Sequence, residues 1–251
     1  MSALKQVYVS GVRGLRGVLD STGLLDRLDH WAEDSRRGLW VRSLLAVYDL
    51  DDMTRLGVPW WTFDAADAVA AHLVGRPGAR VLEWGSGSST LWLAARAASV
   101  DSIEHDPEWA EAMRPRLPAT VRLHVHPPVP DPQPATPSAK RGFAGLDFTE
   151  YVAAADALPG TFDLVVVDGR AREACLPRAA DRLAPHGLVV VDNVDRERYR
   201  TAIADLADRL TDQHGSRVEV TWTRGATPSL PYPTRTALLR VRPQESRSGR
   251  A

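Results

Sequence analysis

The stretch Val81-Leu82-Glu83-Trp84-Gly85-Ser86-Gly87-Ser88-Ser89-Thr90 decides the fold that the sequence predicts. A short apolar run ends in an acid and a glycine turn, and the helix-like run 91–98 follows. This order predicts a strand, a turn and the start of a helix, which is where α/β proteins hold nucleotide-like ligands. Gly85 and Gly87 allow a close backbone approach, and the hydroxyl residues that follow can cap the helix.

The residues downstream narrow the class of ligand. The segment 100–104 predicts a second strand ending in Glu104, at the usual distance from the glycine turn for an acid that binds ribose hydroxyls. A dinucleotide fingerprint would need glycine at the position of Thr90, and the turn lacks the lysine of a phosphate-binding loop. Glu83 would repel a pyrophosphate but suits an ammonium group. The pattern therefore favours an adenosine that carries a positively charged amino-acid end.

With these residues the chain resembles the class I S-adenosylmethionine-dependent methyltransferases, and among them the bacterial small-molecule O-methyltransferases. The resemblance extends from Trp60 to Val241. It departs from the family at His186, where glycine is usual. It implies an α/β fold with a Rossmann-like, seven-stranded, mostly parallel sheet whose last strand is reversed. The motifs that carry it follow the family's order, at 81–87, 103–106, 162–169 and 183–193.

The hydropathy pattern divides the chain into three parts. Residues 1–58 carry apolar stripes at helical spacing and predict an N-terminal helical extension, either as packed core or as a cap over the substrate pocket. Residues 59–243 alternate strands and helices and predict the methyltransferase domain. The tail 244–251 has the composition of a disordered segment. The expected strands are 80–84, 100–104, 121–125, 163–167, 187–191, 217–222 and 235–241.

A proline-rich segment, 127–137, follows the third expected strand. It can be neither a regular helix nor a central strand, because proline lacks the backbone donor that both need. Its position at the ligand edge of the sheet leaves two interpretations open, a mobile lid and an ordered surface loop.

The composition fits a cytoplasmic enzyme. The chain has 251 residues and a formal net charge of -1, so no general nucleic-acid surface is expected. Cys175 is the single cysteine, which fits a reducing compartment. No signal peptide or bilayer-spanning apolar run is recognisable, and we expect no membrane association. The excess of arginine over lysine is typical of a GC-rich bacterial genome.

The resemblance implies the residues that contact the cofactor. Glu83 is expected at its amino group, and Glu104 at both ribose hydroxyls, since a carboxylate offers two acceptor oxygens. Asp147 is expected at the adenine amino group, with a helix cap as its structural alternative. The segment around Trp61 would shield the sulfonium, or else anchor the extension. The expected set is Trp61, Thr62, Glu83, Gly85, Ser86, Gly87, Ser89, Thr90, Glu104, His105, Asp147, Phe148 and Asp168.

Acidic side chains at two strand ends predict the catalytic chemistry. Asp168, Asp192 and Asn193 should meet at one edge of the sheet and offer the oxygen ligands that Mg²⁺ prefers. Metal-dependent O-methyltransferases of the catechol type have Asp and Asp-Asn at these strand ends, where the cation acidifies a substrate hydroxyl. Without a metal, Asp168 would act as the general base. Arg170 and Arg172 would add positive charge there or bind an acidic substrate.

Several function classes remain open from the sequence. A methyltransferase acting on a hydroxyl of a small molecule is favoured. The alternatives are methylation of nitrogen, carbon or a macromolecule, and a non-catalytic methyltransferase-like binding subunit. The oligomeric state is open, a homodimer included. A zinc site at His124 and His126 is disfavoured, because a third ligand is lacking.

Overall fold

The computed structural model describes residues 3–46 and 49–242, so the expected tail at 244–251 lies outside the described residues. The helices are α1 (Ala3–Ser21), α2 (Leu24–Asp34), α3 (Arg36–Ser43), α4 (Leu50–Leu56), α5 (Phe63–Val74), α6 (Ser88–Ala94), α7 (Pro107–Met113), α8 (Thr149–Ala153), α9 (Arg172–Arg182) and α10 (Arg198–His214). Short 3-10 turns occupy Leu44–Ala46, Arg114–Arg116 and Ala154–Ala157. The strands are β1 (Arg80–Trp84), β2 (Ser99–Glu104), β3 (Val121–Val125), β4 (Val129–Pro130), β5 (Leu146–Asp147), β6 (Phe162–Val167), β7 (Leu183–Asp192), β8 (Val218–Thr227) and β9 (Leu230–Val241).

Seven strands form one sheet in the order β3-β2-β1-β6-β7-β9-β8. The first five are parallel, whereas β9 runs antiparallel to both β7 and β8. This topology confirms the expected Rossmann-like fold with its reversed last strand. Because β1, β6 and β7 are parallel neighbours, their carboxyl ends lie at one edge of the sheet.

Helices cover the sheet on both faces, and alternate strand residues point to opposite layers. Val81 packs with α5 and α6 in one cluster, whereas Leu82 packs with α8, α9 and α10 in the other. The central strands β6 and β7 are almost continuously apolar and buried, as expected for strands with a layer on each side. The outermost strand β8 is mostly exposed or half-buried.

The strand predictions are close to the observed bounds, with differences at the ends. Strand β7 begins earlier than expected, at Leu183, because that residue pairs with Phe162 ahead of a register shift. Strands β8 and β9 extend further toward their shared turn. The proline-rich segment lies outside the central sheet, as predicted. It contributes the two-residue β4, whose partner is β5.

The N-terminal helices are joined by buried charges. Arg42 is fully buried and donates to both carboxylate oxygens of Asp52 at 2.8 Å, and to Asp29 at 2.6 Å. Helices α2, α3 and α4 are therefore held as one unit, because removing one partner would leave a buried charge uncompensated. The unit packs on the β8–β9 hairpin, where Trp40 Nε1 donates to the carbonyl of Leu230 at 3.0 Å.

Candidate functional site: the carboxyl edge of the sheet

The glycine turn after β1 touches the loop after β6. Gly85 has φ +99, and a Cβ on it would lie 2.8 Å from Cα of Gly169. A side chain at position 85 would therefore force the two loops apart. Gly87 differs, because a Cβ there would meet nothing within 4 Å. The backbone at Gly87 borders open space, where a ligand can approach it.

Glu83 lies beneath the glycine turn. Its side chain is fully buried, and its oxygens accept hydrogen bonds from Ser89, from Thr90 at 2.5 Å and from Ser102 at 2.9 Å. Thr90 Oγ1 also accepts the backbone N–H of Gly87 at 2.9 Å, so the acid fixes the turn through this hydroxyl. Burial raises the pKa of Glu83 to about 7, although the hydroxyl donors act to lower it.

The structure shows Glu83 as a buried side chain that accepts from three neighbouring hydroxyl groups and shapes the turn from below. Ser89 and Thr90 belong to the same buried network and are 5% and 0% exposed. The expected contacts of these three residues with the cofactor stay predictions.

Glu104 ends β2 beside the glycine turn, as expected. Its Oε2 accepts from the backbone N–H and the hydroxyl of Ser86, at 2.9 and 2.8 Å. Its Oε1 accepts from the backbone N–H groups of His105 and Asp106, at 2.7 and 2.8 Å. Burial acts to raise the pKa of Glu104, but its donors outweigh this effect and hold the pKa below its usual value. A charged carboxylate thus lies next to Ser86, a half-buried residue of the turn.

Aromatic rings gather where the adenine was expected. The ring of His105 lies 6.0 Å from that of Phe148 and 5.8 Å from that of Tyr151, between centroids. Phe143 completes the group at 5.6 Å from His105, and it was missed because its loop has no periodic pattern. Phe148 is fully buried, so the outer rings of His105 and Phe143 are better placed than Phe148 to stack on a base.

Asp147 has a structural role. Its Oδ1 accepts the backbone N–H of Thr149 at 2.6 Å, and its Oδ2 accepts that of Ala135 at 2.7 Å. The hydrogen bonds from Thr149 hold its pKa below the usual value. The carboxylate therefore fastens the proline-rich segment to the start of α8. This agrees with the structural role, in which the side chain caps backbone donors, and the adenine contact, which is compatible with it, stays a prediction.

Trp61 and Thr62 anchor the start of α5. Trp61 is fully buried, and its Nε1 donates to Asp168 Oδ2 at 3.1 Å. Thr62 caps the helix through Ala65 N at 3.3 Å, and its hydroxyl lies 2.5 Å from that of Thr223. The contacts implied by the resemblance, of Thr62 with the methionine carboxylate and of Trp61 with the sulfonium, stay predictions. Trp61 reaches the site indirectly, through the hydrogen bond that orients Asp168.

Arg172 connects the ends of β6 and β7. Its Nη2 donates to Asp168 Oδ1 at 2.9 Å and to the carbonyl of Asp168 at 3.0 Å. Its Nε donates to the carbonyl of Gly169 at 3.1 Å, and its Nη1 to the carbonyl of Asp192. The residue before it, Ala171, has φ 46, so the loop takes a left-handed turn just before the guanidinium. The buried cation of this edge is thus an arginine.

The predicted magnesium ligands do not fit a metal ion. Asp168 already accepts from Trp61 and Arg172. Asp192 is 1% exposed, and its carboxylate accepts from Thr236 Oγ1 at 2.6 Å and from the amide of Asn193. Burial, followed by the nearby charge of Asp168, raises the pKa of Asp192. No metal-binding group of three or more His, Cys, Asp or Glu side chains occurs among residues 3–46 and 49–242, and the magnesium prediction is not supported.

Comparison with known proteins identifies the domain that contains this site. Residues 82–194 match a family model described as a methyltransferase domain, and this range contains the glycine turn, Glu104, Asp168 and Asp192. Residues 82–194 are therefore a methyltransferase domain. No curated protein matches the chain in sequence.

Solved structures share the fold of this methyltransferase. An O-methyltransferase from Bacillus cereus in complex with SAH is 16% identical, with a TM-score of 0.51, over 77% of this chain and 90% of that one. A cofactor-bound protein from MTB is 20% identical, with a TM-score of 0.50, over 85% of this chain and 95% of that one. Among the described helices of the methyltransferase, none has both the length and the apolar character that a bilayer crossing requires.

The raised pKa of Glu83 can be tested through the pH dependence of the protein's stability. The pKa of Glu83 is about 7 in the folded protein, whereas an ordinary glutamate has a pKa of 4.5. Between these two pH values the folded protein therefore holds a proton that the unfolded chain has lost. The contribution of Glu83 to the free energy of unfolding is present below pH 4.5 and lost as the pH rises through 7. Wild type should therefore lose up to about 3 kcal/mol relative to Glu83→Gln between acidic and alkaline pH.

Urea denaturation of both proteins across this range measures the difference, with the exposed Glu150→Gln as the control. A difference between wild type and Glu83→Gln that stays constant with pH would show that Glu83 is not a buried acid of raised pKa.

Proposed function

We propose that the protein methylates a hydroxyl oxygen of a small molecule, with Asp168 as the general base. The observation that carries the proposal is the position of Asp168. It follows β6 directly, beside the contact between Gly169 and the glycine turn, and its side chain is 18% exposed. It is thus an acid at the ligand edge of the sheet that retains access to solvent.

The electrostatics of Asp168 suit a base. Burial raises its pKa, while Arg172, Trp61 and Arg170 act in the opposite direction, and the net shift is upward. A carboxylate with a raised pKa takes a proton more readily than an exposed one. Each of its oxygens accepts a hydrogen bond from a neighbouring side chain, which fixes the carboxylate and leaves lone pairs for a substrate hydroxyl.

The chain has room and charge for S-adenosylmethionine beside the glycine turn. Gly87 faces open space, and the charged Glu104 lies at Ser86. A ribose hydroxyl would replace the Ser86 hydroxyl as a donor to Glu104. His105 and Phe143 would then border the adenine. The cofactor, when bound, supplies an electrophilic methyl group on a sulfonium.

The reaction that these residues support is a displacement. Asp168 orients the acceptor hydroxyl and takes its proton as the oxygen–methyl bond forms. The carbon–sulfur bond breaks at the same time, and its electron pair remains on sulfur. Lys140 and several arginines lie along this edge, which disfavours a protonated amine as acceptor and favours a hydroxyl.

Cofactor binding is tested first, through Glu104. Glu104→Gln removes the charge that holds Ser86 and would accept the ribose hydroxyls, so affinity for S-adenosylhomocysteine should fall by about ten-fold or more. Calorimetry of wild type and variant measures the change. The exposed Glu108→Gln, on the next helix, should bind like wild type. If wild type binds neither S-adenosylmethionine nor S-adenosylhomocysteine at millimolar concentration, the proposed function fails.

The role of Asp168 is tested by Asp168→Asn. The amide keeps the size and can still accept from Arg172, but it cannot take a proton. The turnover of a hydroxylated acceptor found by screening should therefore fall by about 100-fold or more, with a smaller effect on S-adenosylhomocysteine affinity. The wild-type rate should rise with pH through a carboxyl pKa above the usual range, because the base must be deprotonated. A rate in Asp168→Asn that equals the wild-type rate would exclude Asp168 as the base.

A further inference from the structure

A cavity of about 250 Å³ opens at Gly169, the residue after Asp168, near the carboxyl ends of β6 and β7. Gly169 and Asn193 line it, together with residues at the starts of α9 and α10. Leu230 and Tyr232 of the β8–β9 hairpin also line it. Among the described residues that line it, none comes from the glycine turn or from β2. The cavity thus belongs to the substrate side of the site and not to the expected cofactor side.

The lining of this cavity is rich in cations. Two acidic side chains line it, Glu173 and Asp195. The five basic side chains are Lys140, Arg170, Arg172, Arg196 and Arg198. A ligand in the cavity therefore experiences a net positive potential, although the whole chain has a formal net charge of -1.

Local pairing leaves part of this charge uncompensated. Arg172 is paired with Asp168 at 2.9 Å, and Arg198 is paired with Glu173. Arg196 is exposed, and within residues 3–46 and 49–242 its guanidinium makes neither a hydrogen bond nor an ion pair. Asp195, beside it, accepts instead from the backbone N–H of Arg235 at 3.3 Å. Arg196 is thus a charged donor at the cavity with its hydrogen-bonding capacity unused.

Arg170 provides the second such charge. Its guanidinium lies over the ring of Phe143, 5.0 Å from the centroid. Its Nε is buried and has no hydrogen-bond partner among the described residues, and its Nη1 reaches only the carbonyl of Gly169 at 3.4 Å. A buried donor that lacks a partner, such as Nε of the half-buried Arg170, is costly unless a ligand completes its hydrogen bond.

We infer that the methyl acceptor carries an anionic oxygen group, a carboxylate or a phosphate, which Arg196 and Arg170 bind while Asp168 faces the hydroxyl. Both anions accept the forked N–H pairs of arginine and are bound more strongly than neutral groups. The inference rests on the proposed function, since it names the class of substrate for the same site. The inference also gives Arg170 and Arg196 a function, which is to bind the substrate's anionic group.

The test uses the full chain saturated with S-adenosylhomocysteine. The probes are para-hydroxybenzoate, para-hydroxyphenyl phosphate and the neutral para-hydroxybenzamide, titrated by calorimetry. Either anion should bind about ten-fold or more tightly than the amide, because the amide forms no charge-assisted hydrogen bond. The tighter of the two anions identifies whether a carboxylate or a phosphate is preferred. Arg196→Gln should remove most of this preference while S-adenosylhomocysteine affinity stays at the wild-type value.

Arg200→Gln is the matched control, since it removes the same charge from α10 at an exposed position outside the cavity lining. It should keep the preference for the anion. Equal affinity for anion and amide, no binding of either anion, or an equal loss in Arg200→Gln would overturn the inference. Failure of the proposed function is separately visible, because S-adenosylhomocysteine would then not bind to wild type.

Discussion

The guanidinium of Arg172 holds the carboxyl ends of two parallel strands together, and the geometry of the site depends on it. Parallel neighbours bring the carbonyls of Asp168, Gly169 and Asp192 to the same edge, together with two carboxyl side chains. These groups are all acceptors, so their approach in a buried place requires donors or a cation. One planar guanidinium with five N–H groups supplies both. It fixes Asp168 beside the glycine turn, where the proposed chemistry takes place.

Two acids at this edge, the partly exposed Asp168 and the buried Glu83, are stabilised in different ways. Asp168 is balanced by a cation, whereas Glu83 is surrounded by hydroxyl groups and has a pKa near the neutral range. The difference follows from position. Glu83 lies under α6, where only Ser89, Thr90 and Ser102 reach it, and these neutral donors compensate only part of the desolvation. Glu83 therefore shapes the turn through its hydroxyl neighbours.

The sequence predicts the sheet well, because its signals are local. Apolar runs predict β6 and β7, and the positive φ of Gly85 needs the glycine that the sequence shows. The burial of the Glu83 side chain was not predicted. The two-residue period of a strand nevertheless places this side chain on the same face of β1 as Val81, under α6. Phe143 and the charge contacts of Arg172 were not predictable, since they depend on loops that come together only in the folded chain.

The role of Arg172 as the cation of this edge is tested most directly by manganese titration. Mn²⁺ would bind Asp168 and Asp192 if their oxygens were open to a metal, and its electron paramagnetic resonance signal reports the free ion. We predict that wild-type protein, saturated with S-adenosylhomocysteine, leaves the free Mn²⁺ signal unchanged at millimolar concentration. A stoichiometric loss of the signal with wild type, abolished by Asp168→Asn, would contradict this role and restore a metal to the site.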